Sequence, residues 1–233
     1  NKDVIHFSKI SGGCINECFK IESNQKKYFI KINSSFNPFN EEKKGLKLLE
    51  STNTFAIPKV YEVGVENKTA FLLMEFIDCK IPSEDFWISF GYKLAKMHSH
   101  SNKFFGLDYN NYIGSLSQEN TQHRDAIEFF INCRLLPQIR LISKSSNNQL
   151  FKGFDKLFSK LSEILPNDKP ALIHGDLWNG NFMVDISGAP VLVDPAVYYG
   201  SREIDIAMSK LFGGFSNQFY ESYNEKFPLE KDW

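Results

Sequence analysis

Along the first third of the chain, apolar and polar positions alternate with a period of two, broken by one helical stretch; beyond residue 77 the period lengthens to that of a helix. Residues 5–10 and 19–21 flank Ser11-Gly12-Gly13 and predict two strands joined by a glycine turn. Within 28–32, Tyr28, Ile30 and Ile32 share one strand face, and Phe29 and Lys31 share the other. After Pro38, the residues Phe39, Glu42, Leu46 and Leu49 recur at spacings of three, four and three, the inward stripe of a helix. Residues 54–58 end that unit. Two more strands are predicted at 60–63 and 70–76, about the turn Glu66-Asn67-Lys68.

Further on, Trp87, Phe90, Leu94 and Met97 mark an amphipathic helix. Residues 126–136 mark another, expected to stop before Pro137, whose ring and missing N–H disfavour a helix interior. Residues 143–148 read as a polar loop. Leu150, Phe154, Leu157, Leu161 and Ile164 mark a third helix, ended by Pro166. A short strand is expected at 171–174, and a hairpin at 182–184 and 191–193 about Ser187-Gly188. Ile204, Ala207, Met208 and Leu211 open the last clear helix. The simplest partition is an α+β bilobal fold: a small β-sheet lobe with one helix at residues 1–77, and a larger, mainly helical lobe at 78–233.

Composition narrows the possibilities. At 42% hydrophobic and 24% charged, the 233 residues have the make-up of an ordinary globular protein. With 27 basic against 28 acidic residues the net charge is −1, leaving no excess to neutralise a phosphate polymer, so nucleic acid is not an expected partner. Cys14, Cys18, Cys79 and Cys133 are spaced neither as a disulfide framework nor as a zinc site. No apolar run approaches membrane-spanning length, and the first residues lack the apolar core of a signal peptide. No membrane partner is expected, and a reducing cytoplasm is the expected compartment. Without an initiator Met, the numbered chain is expected to begin inside the natural one.

The chemistry concentrates in His174-Gly175-Asp176-Leu177-Trp178-Asn179-Gly180-Asn181. Asp176 and Asn181 stand on a loop between strands, and Asp194 stands just beyond the second strand of the hairpin that follows. Antiparallel partners lie ~5 Å apart, so the hairpin should bring Asn181 and Asp194 within reach of one ion. An amide carbonyl and a carboxylate are the sparse, hard-oxygen set that Mg²⁺ accepts when phosphates and water complete its shell. Asp176 is then placed to accept a hydroxyl proton, the division of labour of a kinase catalytic loop. Lys31 interrupts the apolar content of a strand, and Glu42 interrupts the apolar stripe of the following helix. Each is expected to be the other's partner, with Lys31 turned toward phosphates. The backbone N–H groups of the Gly12-Gly13 turn could lie over those phosphates.

On these residues the chain resembles the fructosamine (ketosamine) 3-kinases, a branch of the protein-kinase-like group that includes aminoglycoside phosphotransferases and choline kinases. The matching stretches cover nearly the whole chain. They include Ser11-Gly12-Gly13-Cys14-Ile15, Phe105-Gly106-Leu107, Asn111-Tyr112-Ile113-Gly114-Ser115, His174 to Asn181, Asp194-Pro195-Ala196, residues 198–208, and Leu211-Phe212-Gly213-Gly214-Phe215. The resemblance implies ATP between the lobes, its adenine against the connector Met74, Glu75, Phe76 and Ile77. It also implies phosphorylation of the sugar 3-hydroxyl of ketoamines, small or protein-bound. It further implies that Trp178 packs on the sugar or its amine substituent, that Asp205 with His174 braces the catalytic loop, and that Glu203 is a candidate substrate contact.

Alternatives stay open: an aminoglycoside- or choline-type acceptor, or a silent nucleotide-binding pseudokinase. A protein kinase is disfavoured, because Asp194 is followed by Pro-Ala and no activation segment precedes the next helix. Asn179 stands where the family more often has Ser. Family members also continue beyond the region matching Pro228 and Leu229, so a shortened C-terminus and an incomplete acceptor pocket are expected. Cys14, at the glycine turn near Lys31, is a candidate redox residue with Cys18 or a second chain's Cys14 as partner; monomer and dimer both stay open.

Overall fold

The structure, a computed structural model, describes residues 6–10, 15–23, 26–143, 151–165 and 168–229. The expectations that rest on Gly12, Gly13, Cys14, Leu150 and Pro166 lie outside these described residues.

Five antiparallel strands form the first sheet: β1 (His6–Lys9), β2 (Glu17–Ser23), β3 (Lys26–Asn33), β4 (Val60–Glu66) and β5 (Thr69–Glu75), in the order β1-β2-β3-β5-β4. Between β3 and β4 runs α1 (Phe39–Ser51), which buries Phe39, Glu42, Gly45, Leu46 and Leu49. β4 and β5 meet at Asn67 and Lys68, both in left-handed backbone, as the tight turn of a two-residue hairpin demands. Phe39, Leu46, Ala70, Leu72 and Met74 form a small core between α1 and this sheet.

The second core gathers around α2 (Glu84–His98), whose N-cap Ser83 accepts the Phe86 N–H. Phe90 is fully buried, with the rings of Phe182, Phe215 and Phe219 centred 5.1, 5.6 and 5.2 Å away. Burying each such ring is worth about 2–3 kcal/mol. α7 (Asn217–Lys226), absent from the sequence expectation, packs directly on α2. A Cβ at Gly91 would lie 2.3 Å from the Phe219 carbonyl oxygen, so only glycine allows the two helices to approach this closely.

Three expectations are corrected. The helix read to stop before Pro137 continues: α3 (Ala126–Phe130) passes through a π turn (Ile131–Leu135) into α4 (Leu136–Ser143). The wider turn removes Pro137 from the ordinary ladder, and the Cys133 carbonyl that its N–H would have met accepts the Arg134 guanidinium at 2.9 Å instead. Of the stripe read on α5 (Phe151–Ile164), Leu161 is buried, but Leu157 and Ile164 are exposed. α6 (Glu203–Lys210) buries Asp205, Ile206 and Ser209, whereas Ala207 and Leu211 face outward. There the inward face is partly polar because its polar atoms are bonded, and an apolar count cannot see that.

The remaining strands are short: β6 (Asn111–Ile113) with β7 (Leu116–Gln118), β8 (Ala171–Ile173) with β11 (Tyr198–Gly200), and β9 (Phe182–Val184) with β10 (Pro190–Leu192). Among the described residues no helix is long and apolar enough to cross a membrane.

Candidate active site

β8 delivers His174 to a loop whose shape is set by Asp205, a fully buried carboxylate on α6. One oxygen of Asp205 accepts the His174 N–H at 2.7 Å and the other accepts the Gly175 N–H at 2.9 Å. Gly175 itself has φ +82°, and a Cβ there would lie 2.2 Å from the Ala196 oxygen, so both conformation and space require glycine. The His174 ring joins the loop to the hairpin: Nε2 faces the Val193 carbonyl at 3.0 Å, and Nδ1 accepts the Asp176 N–H at 3.3 Å. Since a carbonyl can only accept, this pairing puts the ring proton on Nε2. Behind Asp205 stand two buried groups the sequence reading missed: His98 Nε2 at 3.2 Å, whose Nδ1 in turn meets the Tyr223 hydroxyl at 2.8 Å.

In the hairpin, Phe182 pairs with Leu192, so Asn181 and Val193 stand opposite, and the Val193 N–H donates to the Asn181 carbonyl at 3.1 Å. Asp194 follows at φ +56°, a left-handed conformation uncommon for any residue other than glycine but tolerated by Asp. Asn181 Nδ2 donates to both the backbone oxygen and Oδ2 of Asp176, each at 2.8 Å. These two acceptors fix which end of the amide is nitrogen and leave the Oδ1 end for a cation.

From the sheet side, Lys31 Nζ lies 2.7 Å from Glu42 Oε1 and 2.9 Å from Asp194 Oδ1. Lys31 and Glu42 are buried, while the Asp194 side chain is 51% exposed and opens onto the cleft. Burial opposes charge on Lys31, but the two carboxylates prevail and raise its pKa. Burial pushes Glu42 up to about 7 despite Lys31. For Asp194, burial also pulls upward, but Lys31 outweighs it and holds the carboxyl below its usual range. Burial, helped by the charges of Asp194 and Asp205, raises the pKa of Asp176.

Two cavities meet at Cys18, Lys31, Gly180 and Asp194. The larger, of about 510 Å³, is apolar; Met74, Glu75, Phe76 and Ile77 line it together with Phe29 and Met183. The smaller, of about 190 Å³, is the more polar of the two and contains Asp176, Asn181 and Glu42, with Trp178, Asn111 and Tyr112 on its walls. Trp178 is thus a half-buried cleft residue rather than a core residue. Glu203 sits in the first turn of α6, outside both linings.

Among the described residues no cluster of three or more His, Cys, Asp or Glu could hold a metal by itself. Two hard oxygens, the Asn181 amide carbonyl and the Asp194 carboxylate, suit an ion that keeps phosphate and water ligands, and the residues present therefore fit Mg²⁺.

A buried amide network also escaped the sequence reading. Asn111 Nδ2 donates to the Val197 carbonyl at 2.8 Å, and Gln118 Nε2 to the Ala196 carbonyl at 3.0 Å. Asn120 Nδ2 donates to Asn111 Oδ1, and Arg134 holds Asn120 Oδ1, each at 2.8 Å. The network ties the β6–β7 hairpin to the segment that follows Asp194. Its only trace in the sequence is a run of amides, which reads equally well as a solvated loop.

Comparison with known proteins agrees with this architecture. The sequence model described as fructosamine kinase matches residues 1–233. A protein of Vibrio vulnificus (strain CMCP6) named "Probable ketoamine kinase" is 37% identical, over 97% of this chain and 80% of that protein. The chloroplastic protein-ribulosamine 3-kinase of Oryza sativa subsp. japonica is also 37% identical, over 96% of this chain and 67% of that protein. The crystal structure of a Haemophilus somnus 129PT protein named "Putative fructosamine-3-kinase" superposes with a TM-score of 0.87 at 31% identity, covering 98% of this chain and 79% of the other. An aminoglycoside phosphotransferase superposes with a TM-score of 0.66 at 12% identity, a likeness of fold alone.

Proposed function

The chain belongs to the fructosamine kinase family, and from that premise we propose that it is a ketoamine kinase that transfers the terminal phosphate of ATP to the sugar 3-hydroxyl of its acceptor. The observation that carries this reading is the meeting of the apolar and polar cavities at Lys31 and Asp194, with Asp176 and Asn181 in the polar one.

In this reading residues 1–77 are the nucleotide-binding lobe and 78–233 the catalytic and acceptor-binding lobe. Adenine takes the apolar cavity against Met74 to Ile77. Lys31, kept charged by Glu42 and Asp194, faces the phosphates. Asn181 and Asp194 hold Mg²⁺, which when bound neutralises the charge that develops on the phosphates. Asp176 accepts the proton of the acceptor hydroxyl as its oxygen bonds to phosphorus, and ADP leaves with the bridging oxygen. The amide of Asn181 orients that carboxylate. His174 and Asp205 hold the loop through its backbone.

The charges in the polar cavity favour a ketoamine over a polycationic aminoglycoside. Of its carboxylates Glu42, Asp176 and Asp194, Lys31 engages the first and the last, leaving Asp176 alone. A reducing compartment, the cytoplasm, belongs to the same proposal and is supported by free thiols at Cys18, Cys79 and Cys133. The test is ADP release with magnesium and ATP against ribulosamines, erythrulosamines, fructosamines, aminoglycosides and choline. Turnover confined to ketoamines is expected, and turnover confined to aminoglycosides or choline would contradict the proposal.

A further inference from the structure

Residues 211–215 display an exposed aromatic ring, Phe212, beside Trp178, which stands on the wall of the smaller cavity. Phe212 is 71% exposed, yet its backbone is left-handed at φ +55°, followed by Gly213 at +99° and Gly214 at +74°. Such a conformation costs a phenylalanine free energy that burial does not return. The loop is nevertheless fixed at both ends. Phe215 is buried in the aromatic core, and its N–H donates to the Tyr220 hydroxyl at 3.1 Å. On the other side, Asn179 Nδ2 donates to the Gly214 carbonyl at 3.2 Å and, at 3.5 Å, to that of Phe212.

What the loop presents is a partner for Trp178. The two ring centroids are 5.4 Å apart at an interplanar angle of 60°. Trp178 also packs closely on Gly180, where a Cβ would lie 2.5 Å from the indole. The indole therefore touches both Gly180, which lines both cavities, and Phe212, which is exposed to solvent. Together the rings form an apolar, π-faced pair, of which Trp178 lines the smaller cavity and Phe212 stands exposed beside it.

We propose that Phe212, positioned by Asn179, forms the amine side of the acceptor site with Trp178 and selects ketoamines whose amine carries an extended apolar stem, such as a lysine side chain. This rests on the proposed ketoamine kinase reading. With the reacting hydroxyl at Asp176, the acceptor's amine is only a few bonds away, and Trp178 stands on the wall of the same cavity to meet what it carries. An aliphatic stem packs on aromatic faces, and the protonated secondary amine is attracted to them. A small amine gains nothing from the outer ring.

The test compares the ribulosamine of an Nα-blocked lysine with that of methylamine on the wild type, F212A and F212Y. F212A should raise KM for the lysine adduct about three- to tenfold, with kcat and KM for ATP unchanged, the mark of a contact made equally in ground and transition states. For the methylamine adduct the change should be below about twofold. F212Y, which keeps the ring, should behave as wild type. The exposure of Phe212 leaves the fold intact in both variants, which a thermal melt verifies. An unchanged KM for the lysine adduct in F212A, or an equal rise for both adducts, would overturn the inference while leaving the kinase reading standing. A wild type that phosphorylates neither adduct would overturn both.

Discussion

Lys31 and Asp194, on β3 and just past β10, approach to 2.9 Å, and the same ammonium lies 2.7 Å from Glu42 on α1. One cation therefore ties the sheet, the helix behind it and the hairpin that carries Asp194. Removing it leaves Glu42 buried and unpaired, a loss on the order of 3–5 kcal/mol for a buried pair. K31A and E42A should each lower kcat strongly, and the double variant should be little worse than either, because residues acting as a unit are not additive. Fully multiplicative losses in steady-state kinetics would dissolve the pair.

Asp194 differs in being half exposed to the cleft. D194A should weaken ATP binding mainly by abolishing its enhancement by magnesium. Calorimetry with and without the metal measures this, and a variant that keeps the full enhancement would remove Asp194 from the ligand set.

Asp176 contributes an acid limb of its own to the pH dependence. Burial favours its neutral form, so its pKa stands above that of an ordinary aspartate. Only the ionised carboxylate can take the hydroxyl proton. It follows that kcat is full above the raised value and falls as pH drops through it, with the acid limb displaced upward from the usual carboxylate range. In D176N that limb should vanish and kcat should fall about a hundredfold or more. A wild-type profile flat down to the ordinary aspartate range would contradict the assignment.

Asp205 touches neither cavity, yet holds the loop from behind. D205N places an amide where two backbone N–H groups need acceptors, which should cost about 2–5 kcal/mol of stability. It should lower kcat far more than it raises KM for ATP. A denaturant titration paired with kinetics checks both, and a stable, fully active D205N would show that the loop holds itself.

The parts of this site that break a pattern were the legible ones. Lys31 interrupts a strand and Glu42 a helical stripe, and in the structure both face one buried point. The hairpin spacing likewise indicated that Asn181 and Asp194 lie close together. Groups whose placement depends on hydrogen-bond partners, distant or local, were illegible. His98 is buried because Asp205 and Tyr223, 107 and 125 residues away, complete its bonds. Ser209 on α6 is buried because it bonds to the Ile206 carbonyl, which made α6 look apolar on the wrong face. The helix past Pro137 was hidden for the same reason: the Cys133 carbonyl finds a side-chain donor instead of a backbone one.

The most direct measurement is the position of the transferred phosphate. With magnesium, ATP and a ribulosamine, phosphorus–proton correlation NMR should show one product whose phosphate couples to the proton on sugar carbon 3, formed in equal amount to ADP and absent with D176N. Phosphate on another hydroxyl, ADP released only with inorganic phosphate, or the same product at the same rate from D176N would contradict the account.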